Sequence, residues 1–195
     1  MARVTKLTPV GGDQVRVQVD GLDWRVMPTD AAARAGLLEG VELRRERLRR
    51  LRRELLRSDA LDVAARLLRE RDRSAAVVER SLVEAGIAPS ARRDALEALE
   101  RAGYVDDDRL VPRRAATLAA RGAGDRLIRE RLAHEGFPSE AVERAVDGLP
   151  PERERATRLL SDGEAELRTA RRLGRKGFSD ETIAAVTGID VATEP

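Results

Sequence analysis

The sequence feature that most constrains the fold is a six-residue stretch that occurs three times. It reads Leu-x-x-x-Gly followed by Ile or Phe, and its copies are Leu82–Ile87, Leu132–Phe137 and Leu173–Phe178, at intervals of 50 and 41 residues. The Leu predicts a core contact in the last turn of a helix, and the Gly predicts a left-handed end to that helix. The final Ile or Phe predicts an apolar contact beside that end. Repetition of this kind indicates a tandem array of small helical units.

The residues around each copy predict three helices per unit. Ser74 precedes the helix that ends in the first copy, and a serine also follows each copy at a position suited to capping the next helix. These serines are Ser90, Ser139 and Ser179. We therefore predict a mainly α chain, with helical repeats over 59–104, 105–149 and 150–189 and a tail at 190–195. Units of this size bury little surface alone, so we expect them to form an elongated, curved array.

Residues 1–28 predict a small β-meander before the helices. Valines alternate with polar residues from Val15 to Val19, and a second alternation runs through Leu22, Trp24 and Val26. Asp20-Gly21 between them is a favoured hairpin turn. A further strand can precede them, ended by Pro9 and the Gly11-Gly12 turn.

Residues 29–58 predict a helical linker region. Thr29 is placed to cap a short helix that ends at Gly36. A longer, basic helix is predicted from about Val41 to Arg57, with an apolar stripe through Leu48, Leu51 and Leu55. Ser58 or Asp59 then predicts a new helix start.

The composition favours thin helical layers and leaves the choice of partner open. Charged residues make up 37% of the chain and aromatic residues 2%, and the net charge is only +2. All basic residues except Lys6 and Lys176 are arginine. Arginine binds phosphate and carboxylate groups through two donors, which indicates a nucleic-acid or acidic partner. A GC-rich coding bias that replaces lysine with arginine accounts for the composition equally well.

Arginines concentrate in four segments. The first is Arg44–Arg57; the others are Arg66, Arg69, Arg71 and Arg73, then Arg121, Arg126, Arg129 and Arg131, then Arg168, Arg171, Arg172, Arg175 and Lys176. The arginines of the fourth segment fall at i, i+3, i+4 and i+7, on one helix face without an acid. Such a face favours a bound polyanion, whereas the other segments fit a solvated helix face equally well.

The sequence predicts neither catalysis nor a bound cofactor. There is no cysteine, and His134 is the only histidine, two residues before a helix-ending glycine where it suits the negative end of the helix. The run Asp106–Asp108 could ligate Mg²⁺, but helix capping explains it better because no further ligand is spaced to complete a site. No apolar run is long enough to cross a membrane. We therefore expect a cytoplasmic monomer that is not an enzyme.

Several of these motifs resemble the RecX family, the regulators of the RecA recombinase. The most specific is Leu99–Asp107, in which Leu, Gly, an aromatic residue and a small aliphatic residue precede paired aspartates. Arg71–Ser74 followed by Leu82 and Gly86 resembles the opening of the first repeat in this family. The second repeat is matched by Arg121–Gly124, Ile128, Leu132, Gly136 and Phe137. The meander and the turn from Gly36 to Gly40 resemble the N-terminal extension of longer members.

The resemblance implies a regulator, usually an inhibitor, that lies in the groove of the RecA–single-stranded DNA filament and suppresses ATP turnover and strand exchange. Single- and double-stranded DNA would be weaker partners. The alternative is a DNA-binding helical protein without a recombinase partner. The chain departs from the family after the paired aspartates, where it reads Arg109–Pro112, and where Arg113 and Arg114 stand near aromatic positions of relatives. These two arginines join Arg69, Arg71 and Arg73 of the second segment, and all of the third and fourth segments, as candidate binding residues.

Overall fold

The computed structural model describes residues 2–161 and 165–189. They divide into two compact units, residues 2–73 with 78–104, and residues 74–77 with 105–161 and 165–189. The tail predicted at 190–195 lies outside the described residues. A three-stranded sheet and a series of helices confirm the mainly α class with an N-terminal meander.

The meander begins the first unit. Strands β1 (Val4–Gly11), β2 (Gln14–Val19) and β3 (Leu22–Pro28) form an antiparallel sheet in the order β1-β2-β3. Val17 pairs with Leu7, and Val15 pairs with Met27. These side chains face the core, with Val17 and Met27 at most 1% exposed. The predicted alternation on β3 instead faces solvent, because Leu22, Trp24 and Val26 are 75%, 41% and 41% exposed.

Two helices cover the inner face of the sheet. Helix α1 (Thr29–Arg34) contributes Ala32, and helix α2 (Arg45–Leu68) contributes Leu51, to a core shared with the valines. The backbone N–H of Val4 donates to the carbonyl of Val41 over 2.9 Å, which attaches β1 to the linker. The sheet is therefore stabilised by burial against the helices, as a small meander requires.

Helix α2 differs from the prediction. It begins at Arg45, later than predicted, and continues to Leu68. The break predicted at Ser58-Asp59 is wrong, since Ser58 lies inside the helix and is 7% exposed. Because Ser58 is buried in the interior of the first unit, the helix continues through it despite the preference of serine for helix ends. Leu48 is 39% exposed, so only Leu51 and Leu55 of the predicted stripe pack inward.

Eight further helices follow α2 in the described part of the chain. Helices α3 (Ala75–Glu84) and α4 (Pro89–Arg101) follow α2. The second repeat holds α5 (Asp107–Ala120), α6 (Asp125–His134) and α7 (Ser139–Asp147). The third repeat holds α8 (Glu152–Thr157), α9 (Glu166–Arg175) and α10 (Asp180–Thr187).

The repeated glycine endings are confirmed. Gly86, Gly136 and Gly177 have φ of +72°, +81° and +80°, which only glycine adopts without strain. In each ending the N–H after the glycine donates five residues back; Phe178, for example, donates to the Leu173 carbonyl over 3.2 Å. The repeated leucines Leu82, Leu132 and Leu173 are fully buried.

The serine caps are confirmed only in part. Ser74 and Ser179 each accept a hydrogen bond from the N–H three residues on, over 3.3 Å. Thr29, Ser90 and Ser139 lie one or two residues inside their helices and do not cap them. In these three helices a proline or alanine occupies the extended N-cap position. The hydroxyl residue therefore lies C-terminal to the position from which it could cap the helix.

Candidate functional site

The fourth basic segment lies on α9 and is mostly exposed. Arg168, Arg171 and Arg175 point to solvent, while Ala170 and Leu173 pack inward. Within the described part of the chain these three arginines form no ion pair. A row of unpaired cations repels itself, so an anionic partner would stabilise it.

Arg172 differs from its neighbours in the same segment. Its side chain is half-buried, and Nη2 donates to the backbone carbonyl of Leu159 over 2.9 Å. Arg172 therefore holds α9 against the end of α8 and is a structural residue.

The third and fourth segments meet through direct backbone contact. The N–H of Gly124 donates to the Lys176 carbonyl over 2.8 Å, and the N–H of Arg126 donates to the Gly177 carbonyl over 3.1 Å. Arg126 Nη2 also reaches the Gly174 carbonyl over 3.0 Å. The structure thus brings together two basic segments that are distant in sequence, since Arg126 and Gly174 are 48 residues apart.

This approach leaves no room for a side chain. A Cβ atom on Gly124 would lie 2.3 Å from the backbone nitrogen of Phe178, and one on Gly177 would lie 2.5 Å from Leu127 Cβ. Lys176 Nζ lies 3.3 Å from the position that a Cβ on Gly122 would occupy. The Lys176 ammonium group therefore lies against Gly122, the residue that follows Arg121 in sequence. The two glycines therefore place Arg121, Arg126, Arg175 and Lys176 at one junction.

A carboxylate organises this junction. Glu152, the first residue of α8, accepts from the Asp125 N–H over 2.7 Å, from Ser179 Oγ over 2.6 Å and from Thr182 Oγ1 over 2.8 Å. Partial burial of Glu152 acts to raise its pKa, but the hydrogen bonds from Ser179, the Asp125 N–H and Thr182 together hold the pKa below its ordinary value. The charged form of Glu152 thus joins the starts of α6 and α10.

A buried arginine completes the junction. Arg155 is 6% exposed and donates to the carbonyls of Ala123 and Pro150 over 2.8 and 3.0 Å, and to the carboxylate of Asp125. A buried charge is tolerated only with such partners. Glu152 and Arg155 did not emerge from sequence reasoning, and no sequence signal distinguishes them from the surface charges around them.

The same arrangement recurs at the start of α3, whose first turn belongs to the second unit. The N–H of Ala75 donates to Asp107 over 3.0 Å, and Ser74 Oγ donates to the Glu135 carbonyl over 2.5 Å. Asp107 begins α5 as Glu152 begins α8. Here, however, burial and the charges of Asp106 and Asp108 outweigh the hydrogen bond from Ala75, and the pKa of Asp107 is raised.

The other candidate arginines divide into paired and exposed groups. Arg129 forms two hydrogen bonds with Glu143, over 2.9 and 3.0 Å, and these raise its pKa. Arg114 lies 3.6 Å from Glu135, and Arg73 lies 3.5 Å from Glu70. Arg69, Arg71, Arg121 and Arg131 are exposed, and Arg113 is exposed on α5 but also has an interaction partner.

The aspartates considered for Mg²⁺ each have another structural role. Asp106 caps α5 by accepting from the Arg109 N–H over 2.9 Å, Asp107 binds Ala75, and Asp108 lies 3.7 Å from Arg144. Among the residues that the structure describes, no group of His, Cys, Asp and Glu side chains is placed to hold a metal ion.

In residues 2–161 and 165–189, no helix combines the length and apolar character that spanning a bilayer requires.

Comparison with known proteins identifies the family. A protein from Xanthomonas axonopodis pv. citri (strain 306), named "Regulatory protein RecX", is 30% identical over 135 residues, which cover 64% of this chain and 83% of that protein. The chain belongs to the RecX family. Another RecX family protein of the same name, from Mycolicibacterium smegmatis, is 28% identical over 153 residues, covering 69% of this chain and 81% of its own length. No family model matches the chain.

Solved RecX structures share the fold. The crystal structure of a regulatory protein RecX superimposes with a TM-score of 0.81 at 17% identity, covering 97% of this chain and all of that one. The structure of RecX from Lactobacillus salivarius gives a TM-score of 0.61 at 18% identity, covering 68% of this chain and 95% of its own. The resemblance inferred from Leu99–Asp107 and the repeats is therefore confirmed.

Proposed function

We propose that this protein regulates the RecA recombinase, as an inhibitor that lies in the groove of the RecA–single-stranded DNA filament. Bound there, it lowers ATP turnover and blocks strand exchange. Family membership supports the choice of partner. Arg168, Arg171 and Arg175 of α9 are exposed and form no ion pair among the described residues. With the junction cations of the second repeat, they supply a surface for acidic protein groups and DNA phosphates.

Binding explains the proposed regulation without a catalytic step or a cofactor. Several weak contacts that are made together give an affinity well above that of any single contact. The protein would act as a monomer in the cytoplasm, and its contacts with free single- and double-stranded DNA would be weaker than those with the filament.

The test reverses the exposed charges of α9. The triple variant Arg168→Glu, Arg171→Glu and Arg175→Glu should lose inhibition of the DNA-dependent ATPase of RecA by at least about tenfold, the cost of about 1.4 kcal/mol of binding free energy. Arg172 is left unchanged because it holds α9 to Leu159.

A matched control separates the α9 surface from net charge. Arg80, Arg93 and Arg101 are exposed on α3 and α4, outside the four basic segments. Reversing these three to Glu makes the same change in net charge and should leave inhibition within about twofold of wild type. Unchanged inhibition by a folded α9 variant would remove this surface from the proposed mechanism.

A salt titration distinguishes this proposal from a DNA-binding protein without a recombinase partner. Binding to phosphates alone weakens steeply as salt rises. We expect cosedimentation with RecA filaments to persist at a salt concentration that abolishes binding to naked DNA. Loss of both at the same salt concentration would favour the alternative.

A further inference from the structure

The first basic segment, on α2, carries the densest cluster of unpaired charge in the first unit. Six arginines lie between residues 45 and 53, and within the described residues none forms an ion pair. They are Arg45, Arg47, Arg49, Arg50, Arg52 and Arg53. The contrast within the same unit is clear, because Glu54 lies 2.7 Å from Arg34 and 3.6 Å from Arg57.

Four of the six lie on one face of the helix, which we call the α2 stripe. Its members are Arg45, Arg49, Arg52 and Arg53, at i, i+4, i+7 and i+8, and all are exposed. Leu51 and Ser58 are buried on the opposite side. At 1.5 Å per residue, the stripe is about 12 Å long. Glu46 borders it, and Arg47 turns away to donate to the Gly36 carbonyl over 2.5 Å.

The stripe begins where positive charge destabilises a helix. Arg45 is in the first turn of α2, whose unpaired N–H groups already carry partial positive charge. Arg44 at the cap position supplies no side-chain acceptor for them. The pairs Arg45–Arg49 and Arg49–Arg53 place like charges one turn apart, which is also unfavourable. Folding therefore gains nothing from these charges, and a bound polyanion would offset both costs.

We propose that the α2 stripe is a DNA-binding surface that contacts the phosphate backbone, independently of RecA. Guanidinium groups match phosphate geometry, and a duplex presents one charge about every 1.7 Å along its axis, so each arginine of the stripe can reach a phosphate. Helix α2 has no aromatic residue, so the stripe offers no platform for base stacking. The surface binds DNA without sequence preference.

The test measures binding to naked DNA, without RecA, so its failure leaves the recombinase proposal intact. The full-length variant with Arg45, Arg49, Arg52 and Arg53 all changed to Gln is titrated with a short fluorescent duplex at several salt concentrations. The slope of log K against log salt should become shallower by about 3 to 4, since each phosphate contact on duplex DNA contributes about 0.9. A single strand of the same length should show a smaller change, at about 0.7 per contact.

A charge-matched variant is the control. Arg80, Arg93, Arg101 and Arg153 are also exposed on helices, and changing all four to Gln should alter the slope by less than about one. Equal slope changes in both variants, or none in the stripe variant, would overturn the proposal. Competition by polyglutamate as effective as that by DNA would do the same, because it would show a surface for any polyanion.

Thermal unfolding provides an independent readout. The stripe variant should melt at or above the wild-type temperature, because it removes like-charge repulsion at the positive end of α2. A lower melting temperature would contradict the claim that these charges serve binding at the expense of stability.

Discussion

Asp107 and Glu152 occupy the same place in successive repeats, but the pKa of Asp107 is raised whereas that of Glu152 is lowered. Each begins the first helix of its repeat and accepts the N–H at the start of a helix from the repeat before. Glu152 gains further donors from Ser179 and Thr182, and these favour its charged form. For Asp107, burial is the main effect that favours the neutral form, and the neighbouring carboxylates of Asp106 and Asp108 add to it.

Replacing Glu152 with Gln should lower stability at neutral pH by about 1.5–3 kcal/mol, the range for hydrogen bonds to a charged group. Because folding lowers the pKa of Glu152, its contribution is complete above the unfolded pKa and is lost as pH falls through the folded pKa. Thermal unfolding of wild type and variant should show the difference in stability between them becoming smaller as pH falls. A gap that stays constant with pH would contradict this assignment.

Replacing Asp107 with Asn should give the opposite pH dependence. Folding raises the pKa of Asp107, so the ionised carboxylate opposes folding above that pKa, and the cost disappears as the group is protonated. Wild type should therefore gain stability relative to the Asn variant as pH falls. Thermal unfolding measured over the same pH range as for Glu152→Gln should show the stability difference between wild type and variant changing with pH in the opposite direction.

Gly124 tests the close backbone approach at the junction. A Cβ here would lie 2.4 Å from backbone atoms of Gly177, which are not free to move away, so Gly124→Ala should cost at least about 1–3 kcal/mol. Gly174→Ala is the control, because its Cβ would meet Ile183 Cδ1 at an ordinary 3.8 Å and its helix gains about 0.5–1 kcal/mol from alanine. Denaturant unfolding of both variants should give changes of opposite sign.

At the scale of elements, the sequence predicted helices best where a local signal marked their ends. The glycine endings, the Ser74 and Ser179 caps and the turn at Asp20-Gly21 all depend on a few adjacent residues. The break at Ser58 was wrong because burial within α2 overrides a local cap signal. The outward position of Trp24 was not predictable either, because a strand that alternates does not reveal which face meets the helices.

Ser58 and Ser179 offer a direct comparison of the two serine environments. Ser58→Ala should raise stability by a few tenths of a kcal/mol, because alanine is the better residue inside a helix. Ser179→Ala should lower it by about 1 kcal/mol, because it removes a cap that also binds Glu152. Chemical denaturation of the two variants should therefore shift in opposite directions. A loss on Ser58→Ala comparable with that on Ser179→Ala would support a helix start at residue 58.

The candidate site was predictable only as a set of charges. Sequence spacing placed Arg168, Arg171 and Arg175 on one face, and the structure leaves all three exposed. Sequence spacing could not show that Arg172 donates to the Leu159 carbonyl or that Arg129 pairs with Glu143, because those partners lie 13 and 14 residues away. Distinguishing an arginine of the scaffold from one available to a partner requires the tertiary contacts.

At the scale of the whole molecule, the net charge is small although single helix surfaces are strongly positive. The chain has 37 basic and 35 acidic residues, yet α9 and the start of α2 each carry several arginines without an acidic partner in the described residues. Arginine stays charged at any working pH. The DNA affinity of the protein should therefore be nearly constant between about pH 7 and 9, a range in which no reference side-chain pKa of Asp, Glu, Lys or Arg falls. Anisotropy titrations across this range would reveal a change if another group controlled binding.

The carboxylates that begin α5 and α8 also give the two contacts between successive repeats a common design. Each joint needs an acid at the first position of the incoming unit, an accessible N–H on the unit before and, at Gly124, a position without a side chain. A designer could therefore test whether a fourth three-helix unit that carries these elements docks after α10.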